Sequence, residues 1–172
     1  KMSSRLPKEV RTGTVLGRKY RLLECLGKGG MGQVWRAHDV VLGAPVAVKV
    51  IDPDLLETHE NKHEVVARFL REARAAAALR SPHVAQILEF GVDDDNVPFM
   101  AMELLEGETL AERLARVRVL PYADTARILT HVARAMARAH ELGIVHRDLK
   151  PGNVFLTRND DEELAKVMDF SI

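Results

Sequence analysis

The sequence has little cysteine, no excess charge of one sign and no long apolar run, and each shortage excludes a class of protein. Its 172 residues include a single cysteine, Cys25, which excludes an internal disulfide and fits a reducing compartment. The 25 Lys and Arg residues balance the 25 Asp and Glu residues, so no net field favours nucleic acid or an anionic membrane as a partner. No run approaches the roughly 18 apolar residues that a membrane-spanning helix needs. We therefore expect no membrane contact within this chain.

The composition is that of a globular protein with enough residues for one domain or two small lobes. Hydrophobic residues make up 47% of the chain and charged residues 29%, as a packed core with a solvated surface requires. Residues 1–19 are polar and basic, and we expect them to form a flexible extension.

Three glycines form the pattern G-x-G-x-x-G directly after a strand pattern. They are Gly27, Gly29 and Gly32, with Val34 two places further on. A dinucleotide-binding motif of the same letters requires a helix to follow, but residues 34–37 continue as strand. The glycines therefore predict a β-hairpin. Such a hairpin can bring backbone N–H groups close to phosphates, because no Cβ interferes.

Two charged residues lie within or beside apolar patterns. Residues 46–51 read as an apolar strand that contains Lys49, which either reaches solvent at an edge or meets a buried anion. Residues 60–80 read as an amphipathic helix, and Glu72 lies beside its apolar stripe rather than opposite it. Glu72 can therefore face the sheet, or it can form a surface pair one turn away with Arg68. These residues alone leave both alternatives open.

The remaining segments predict further strands and helices. They are strands at 84–90, 97–105, 154–156 and 164–168 and helices at 109–117 and 122–142. Gly143 is a suitable stop for the longer helix. One face of that helix is apolar, and its members are Ile128, Leu129, Val132, Ala135, Met136 and Ala139. We expect this face to point inward.

A loop rich in functional groups follows the longer helix. Residues 146–153 read H-R-D-L-K-P-G-N, and the Pro-Gly pair makes a continued helix unfavourable. The loop therefore holds an acid, a cation and an amide at fixed offsets, namely Asp148, Lys150 and Asn153. A further acid, Asp169, follows the last strand pattern in the run D-F-S.

In order and spacing these motifs resemble those of protein kinases, and most closely the bacterial eukaryotic-like (Hanks-type) Ser/Thr protein kinases. The resemblance covers residues 20–171 and rests on the Gly-rich hairpin, the strand Lys, the helix Glu, the H-R-D-L-K-P-G-N loop and the D-F-S run. It implies an α+β, bilobal fold. An antiparallel-sheet N-lobe with one helix would occupy residues 20–103, and an incomplete helical C-lobe would occupy residues 104–172. Lys150, two places after Asp148, points in this family to Ser or Thr rather than Tyr as the acceptor.

The resemblance also implies a role for each motif residue, with ATP and Mg²⁺ as cofactors. Lys49 would hold the α- and β-phosphates and would itself be steered by Glu72. Asp148 would accept the proton of the incoming hydroxyl, and Lys150 would neutralise the γ-phosphate. In the hinge that the resemblance implies, the backbone of Glu103 and Leu105 would hydrogen-bond adenine. The other implied nucleotide contacts are Gly27, Gly29, Gly32, Val34, Ala47, Met102 as gatekeeper, and Leu156.

Four further roles around the loop follow from the same resemblance. Asn153 and Asp169 would hold Mg²⁺, which prefers oxygen ligands. His146 would be structural and would pack near Phe170, although a histidine in such a loop invites assignment as the base. Arg147 would pair with a phosphate on an activation segment, because a guanidinium can bind phosphate with two hydrogen bonds.

Two departures from the family pattern bear on activity. Ser171 stands where the family has Gly, and Ser adopts some of the conformations open to Gly only at a cost. The chain ends at Ile172, where the activation segment of the family would begin. We therefore expect a fragment that lacks the substrate-side half and is inactive alone. The inward face of the 122–142 helix would then lack its partner and would expose an apolar patch larger than ~400 Å².

The first hypothesis is an ATP-dependent kinase that transfers the γ-phosphate to protein Ser or Thr hydroxyls. The alternative is a nucleotide-binding regulatory module, or a pseudokinase-like truncated product, without transferase activity. A small-molecule phosphotransferase of the same fold ranks below both, because those enzymes lack the H-R-D-L-K-P context. The expected partners are protein substrates. The expected location is the cytoplasm, either free or as the cytoplasmic domain of a larger membrane-anchored kinase.

Overall fold

The computed structural model describes residues 10–29, 32–52, 56, 61–159 and 162–170, and the chain divides into two compact units. The first unit comprises the described residues up to 74 together with residues 87–104. The second comprises residues 75–86 together with the described residues from 105 onward. Ser171 lies outside the described residues, so its expected effect on the backbone stays a prediction.

The first unit is built on a six-stranded antiparallel sheet. Its strands are β1 (Val15–Leu16), β2 (Tyr20–Gly29), β3 (Gly32–Asp39), β4 (Ala44–Ile51), β5 (Ile87–Val92) and β6 (Pro98–Glu103). They lie side by side in the order β1-β2-β3-β4-β6-β5. The hairpin predicted from the glycines is present, because β2 and β3 pair antiparallel up to Gly29 and Gly32. The tip of that hairpin, residues 30 and 31, lies outside the described residues.

One face of this sheet carries the apolar core of the first unit. Alternate residues of β4 pack into it, as the period of a pleated strand requires. The core consists of Val10, Leu16, Tyr20, Leu22, Trp35, Ala37, Val46, Val48, Val50, Val97, Phe99 and Ala101. The expectation of a flexible extension is therefore wrong for residues 10–19. Leu16 is fully buried and β1 pairs with β2, because these apolar side chains complete the core. Residues 1–9 lie outside the described residues.

Helix α1 (Lys62–Ala78) has the predicted apolar stripe. Phe69, Ala73 and Ala76 are buried, and so is Leu79 just beyond the helix. The spacing of three and four residues keeps these side chains on one side of the helix. Burial thus follows the period that the sequence showed.

Strand β5 begins three residues later than expected. The sequence predicts a strand over 84–90, but Val84 instead forms an isolated parallel bridge with Val167. Val84 belongs to the second unit, while β5 belongs to the first. The apolar pattern therefore covers two segments with different partners.

The second unit has a three-stranded antiparallel sheet and two helices among its described elements. The strands, in their order in the sheet, are β7 (Gly107–Thr109), β8 (Val154–Asn159) and β9 (Glu162–Val167), and the helices are α2 (Leu110–Val117) and α3 (Tyr122–Glu141). Thr109 begins α2 with a capping box: its hydroxyl accepts from the Glu112 N–H, and the Glu112 carboxylate accepts from the Thr109 N–H. Strand β7 is not predicted by the sequence, because three residues are too few to show an alternation.

Helix α3 covers the sheet with its apolar face. Ile128, Ala135 and Ala139 are buried on that face. They pack in clusters whose other buried members are Val154, Leu156, Ala165, Leu79, Val84, Val167 and Phe170. Part of this face is therefore packed against β9 and the segment before β5, and the exposed apolar patch expected on it stays a prediction. Leu129 is 60% exposed. The buried stripe of α3 is narrower than expected and includes His131 in place of Leu129.

Candidate active site

The glycines of the first unit differ in what requires them. A Cβ on Gly32 would lie 2.0 Å from the carbonyl oxygen of Val50, so no larger residue fits without moving the paired strand. A Cβ on Gly27 or Gly29 would meet nothing within 4 Å. The fold therefore demands Gly32 and leaves the two other positions unconstrained. Open space above those two backbones is what the close approach of a phosphate would need.

The face of the sheet opposite the core brings together four of the predicted nucleotide contacts. Lys49 of β4 lies across from Val34 of β3, and Ala47 lies across from Met102 of β6. Residues directly opposite each other share a face, and so do residues two apart on one strand. Val46, Val48 and Val50 point the other way into the core. The strand period therefore gathers these side chains on one surface.

The predicted hinge residues lie at the end of β6. Glu103 is the last residue of that strand and Leu105 follows it outside any strand. Both side chains are half-buried. Their backbone bonds to adenine stay predictions.

Glu72 is buried, as a residue that faces inward from α1 should be. Only 8% of it is exposed, and its Oε1 accepts from the Arg68 Nε–H at 3.1 Å. The i,i+4 pair that the sequence offered as the simpler explanation therefore exists, but its acidic partner is not a surface residue. The pairing of Glu72 with Lys49 stays a prediction.

In the second unit, the loop that follows α3 is anchored by His146. This residue is 2% exposed, and its ring centroid lies 4.7 Å from that of Phe170. Its Nε2 lies 2.8 Å from the carbonyl oxygen of Met168, which only accepts, so Nε2 carries the proton. Its Nδ1 then accepts from the Asp148 N–H at 3.3 Å. The structural role expected for His146 matches this geometry, and neither ring nitrogen is left to act as a base.

Asp148 points its carboxylate towards solvent. Its side chain is 50% exposed, and Oδ2 accepts from the Lys150 Nζ at 2.7 Å and from the Asn153 Nδ2 at 3.2 Å. The Lys150 ammonium holds the pKa of Asp148 below its ordinary value and outweighs the opposing effect of desolvation. Asp148 is therefore an ionised, accessible acceptor that two neighbours orient.

Asn153 connects the loop to the segment that follows β9. It ends the 3₁₀ turn Pro151–Asn153 and is buried. Its Nδ2 donates to the Asp148 carbonyl oxygen at 2.8 Å, and its own carbonyl oxygen accepts from the Met168 N–H at 2.9 Å. Because the amide nitrogen faces Asp148, the amide oxygen is turned away from it. An oxygen held in this way suits a hard cation.

Asp169 follows β9 in a backbone conformation that side chains seldom adopt. Its φ is 53°, and Arg147 in the loop of residues 146–153 has a φ of 64°. Such left-handed conformations cost roughly 1–2 kcal/mol and persist where the surroundings impose them. The His146–Met168 bond ties these two segments together one residue from each strained position.

The donor set present in the second unit fits magnesium better than a transition metal. Asn153 and Asp169 offer an amide and a carboxylate oxygen, which Mg²⁺ accepts alongside phosphate oxygens. Within the described part of the chain, no group of three or more His, Cys, Asp and Glu side chains could hold a metal ion. A cation here would therefore depend on the nucleotide for its remaining ligands.

Leu156 is a correction to the predicted nucleotide contacts. It is 2% exposed and packs with Ile128, Val154 and Ala165. The alternation of β8 turns Leu156 towards α3 and turns its neighbour Phe155 to the other face, where Phe155 is half-buried. Phe155 was not among the predicted nucleotide contacts, although strand alternation places it, and not Leu156, on the face of β8 away from α3.

Comparison with known proteins places these motifs in one family. Residues 20–172 match the family model described as the protein kinase domain. The chain is 40% identical over 160 residues to a probable serine/threonine-protein kinase of Clostridium perfringens, which covers 93% of this chain and 22% of that protein. It is 37% identical over 166 residues to the serine/threonine-protein kinase PknA of Mycobacterium tuberculosis, which covers 94% of this chain and 37% of that protein. The chain thus spans less than two-fifths of these relatives.

A solved structure supports the fold in the same way. The chain resembles the crystal structure of the Mycobacterium tuberculosis PknI kinase domain with a TM-score of 0.77 and 30% sequence identity. The match covers 95% of this chain and 64% of that one. The predicted α+β kinase-like fold and the predicted resemblance to bacterial Ser/Thr kinases are both confirmed.

Proposed function

Since the chain belongs to the protein kinase domain family, we propose that it carries the site for Mg²⁺-dependent transfer of the ATP γ-phosphate to Ser or Thr hydroxyls of proteins. One observation carries the proposal more than any other. The Asp148 carboxylate is ionised, half-exposed and oriented by Lys150 and Asn153. A hydroxyl group that accepts a phosphoryl group must lose its proton, and an ionised, accessible carboxylate can take that proton.

We assign transfer of the γ-phosphoryl group to this loop. The Ser or Thr oxygen bonds to the γ-phosphorus while the bond from that phosphorus to the bridging oxygen of ADP breaks, and the hydroxyl proton passes to Asp148. Lys150 lies beside Asp148 at 2.7 Å and would neutralise charge on the transferred group. Bound Mg²⁺ supplies charge neutralisation of the phosphates. Asn153 and Asp169 are the residues that would hold it.

The nucleotide contacts that we assign to the first unit follow from the shared face of its sheet. Val34, Ala47 and Met102 would cover the purine, and Lys49 on the same face would reach the phosphates. Glu72 would act as a positioning residue for Lys49. Gly27, Gly29 and Gly32 would offer their backbone N–H groups. In the second unit we assign Phe155, rather than Leu156, to the purine, and we keep the backbone bonds expected at Glu103 and Leu105.

The partner class that we propose is a protein with an exposed Ser or Thr. The Lys two places after the catalytic Asp is the feature that favours this acceptor over Tyr in the family. We place the reaction in the cytoplasm, where ATP and reducing conditions fit the single cysteine of the chain. No helix in the described part of the chain has both the length and the hydropathy to cross a membrane.

The test compares two isosteric substitutions of aspartate. Asp148→Asn removes the proton acceptor, and Asp94→Asn removes an exposed acid of the β5–β6 turn that pairs with Arg18. Because residues 1–172 are expected to be inactive alone, transfer of phosphate from ATP to an unstructured Ser- and Thr-rich protein is measured in the complete natural chain that contains them, for each variant and for the unsubstituted protein. We expect Asp148→Asn to slow transfer about 10²–10⁴-fold and Asp94→Asn to leave it unchanged.

Two outcomes would overturn the proposal. Equal rates for Asp148→Asn and the unsubstituted protein would remove Asp148 from its role. Tight ATP binding with no transfer by the unsubstituted protein would instead favour a nucleotide-binding regulatory module.

A further inference from the structure

Two buried histidines complete the outer edge of β9. That strand pairs with β8 on one side only, so the backbone groups on its other side need partners from elsewhere. The Ala165 N–H donates to the His131 Nδ1 at 3.1 Å, and the Ala165 carbonyl oxygen lies 3.3 Å from the His83 Nδ1. The two imidazoles thus bond the backbone N–H and carbonyl oxygen of Ala165, which a neighbouring strand would otherwise bond.

The backbone around His83 continues the same edge. The Val167 N–H donates to the His83 carbonyl oxygen at 2.9 Å, and the Ala85 N–H donates to the Val167 carbonyl oxygen at 3.0 Å. All four outward backbone groups of Ala165 and Val167 are therefore paired. The next residues along the chain are Met168 and Asp169, so this edge fixes the strand that delivers the proposed metal ligand.

The hydrogen bonds assign opposite tautomers to the two rings. His131 Nδ1 accepts an N–H and must be unprotonated, whereas His83 Nδ1 faces a carbonyl oxygen and must carry its proton. The rings stack with centroids 4.2 Å apart and an interplanar angle of 19°, and they are 5% and 9% exposed. A proton added to His131 must go to Nδ1 and would remove the acceptor of the Ala165 N–H. The geometry therefore requires a neutral His131, whereas a protonated His83 would keep its bond to the Ala165 carbonyl oxygen.

The surroundings of the pair oppose its protonation. Burial is the largest cause of a lowered pKa for both His83 and His131. The charged groups that act on the pair are Arg127 and Arg134 on α3 and Lys166 and Glu162 on β9. Of these only Glu162 favours the charged form. Because the pKa of each histidine is lowered in the folded state, the stability that depends on the neutral rings is complete above the ordinary pKa of histidine. It is lost as the pH falls below that value towards the folded-state pKa.

We propose that His83 and His131, the histidine pair, are positioning residues that hold the outer edge of β9 and thereby place Asp169, and that protonation of His131 releases this edge. The part of the proposal that concerns Asp169 rests on the proposed function. The part that concerns the edge of β9 does not. The two parts therefore need separate measurements.

The first measurement follows amide hydrogen exchange in the nucleotide-free protein. Protection factors, which divide out the intrinsic pH dependence of exchange, are measured for the Ala165 and Val167 amides. The double variant His83→Asn/His131→Asn keeps a donor and an acceptor near the two Nδ1 positions but cannot titrate. His131→Leu removes the acceptor and keeps an apolar side chain. His140→Asn, an exposed residue of α3, is the matched control.

The histidine pair makes distinct predictions for each variant. Protection of the Ala165 amide should fall between about pH 7 and about pH 5 in the unsubstituted protein and in His140→Asn. It should stay constant over that range in the double Asn variant. His131→Leu should lower it about tenfold already at neutral pH, the effect of one lost buried hydrogen bond. An equal acid loss in the double Asn variant would overturn the proposal, and so would unchanged protection in His131→Leu.

The second measurement tests the link to Asp169 through the affinity for the magnesium complex of ADP. Acid should weaken binding more in the unsubstituted protein than in the double Asn variant. Titration of the nucleotide is common to both, so the ratio of affinities reports the pair. Equal weakening of nucleotide binding by acid in the two proteins would show that the histidine pair does not place Asp169. Absence of binding by every protein at neutral pH would count against the proposed function, while the exchange experiment would still decide the role of the pair in β9.

Discussion

The two units hold their functional residues in different ways. In the first unit, Lys49 and Ala47 project from the middle of a continuous sheet, and strand alternation alone decides which way they point. In the second unit, Asp148 and Asp169 lie on irregular backbone, one after a helix and one after a strand. There no period fixes their direction.

The second unit fixes these residues with buried polar groups instead. His83, His131, His146, Asn153 and Thr157 are all buried in it, against Gln33, Asp39 and Glu72 in the first. Within the described residues, every buried side-chain nitrogen and oxygen atom has a hydrogen-bond partner. Functional residues on loops therefore need specific hydrogen bonds between side chains and backbone to fix their direction. Functional residues on a sheet need mainly an apolar core beneath the sheet.

The largest effect should come from breaking the sheet of the first unit at a glycine. Gly32→Ala places a Cβ against the Val50 backbone and should destabilise the protein by about 3 kcal/mol. Gly29→Ala meets open space and should leave stability nearly unchanged while it weakens ATP binding. Denaturant unfolding and ATP affinity measure the two effects. A Gly29 variant as unstable as the Gly32 variant would contradict the distinction between fold and ligand.

A smaller effect should follow from breaking the polar anchoring of the second unit. His146→Leu keeps the volume but leaves the Met168 carbonyl oxygen without its partner, and the Asp148 N–H keeps only its bond to the backbone carbonyl oxygen of residue 146. The loss should cost about 2 kcal/mol. Transfer should fall as well, because Asp148 loses its fixed direction. His63→Leu on the exposed side of α1 is the control in the first unit. Full stability and activity in His146→Leu would show that the buried histidine does not anchor the loop.

The smallest effect concerns charge rather than packing. Lys150→Met should raise the pKa of Asp148 towards its ordinary value, because Lys150 is the main cause of its lowering. A raised pKa means that the carboxyl takes up its proton at a higher pH, so the acid limb of the transfer profile should move upward. NMR titration of the Asp148 carboxyl checks the shift directly. An unmoved titration in Lys150→Met would assign the low pKa to another cause.

The parts that the sequence predicted are those with a period or a strong local rule. A spacing of two or four residues repeats over enough positions to be recognised in several elements. They are the strands of the Gly-rich hairpin, β4, the apolar stripe of α1 and the full length of α3. The stop at Gly143, which adopts a φ of 70°, follows from glycine alone. The motif residues of the catalytic loop could likewise be named from spacing.

The parts that the sequence did not predict depend on partners distant in the chain. Leu16 is buried only because β2 and the rest of the core cover it, and β7 exists only because β8 pairs with it. Leu156 was assigned to the nucleotide although strand alternation turns it towards α3. The histidine pair joins residues 48 positions apart in two unrelated patterns. No local rule detects such contacts.

In the proposed site, one set of residues binds the magnesium nucleotide and Asp148 acts only in transfer. The decisive measurement is the affinity for ATP, with and without Mg²⁺, of the unsubstituted protein, Asp148→Asn and Asp169→Asn. We expect the unsubstituted protein and Asp148→Asn to bind ATP equally and Mg²⁺ to strengthen both, whereas Asp169→Asn loses the response to Mg²⁺. An Asp148 variant that loses ATP binding as Asp169→Asn does, or an affinity indifferent to Mg²⁺ in the unsubstituted protein, would contradict it.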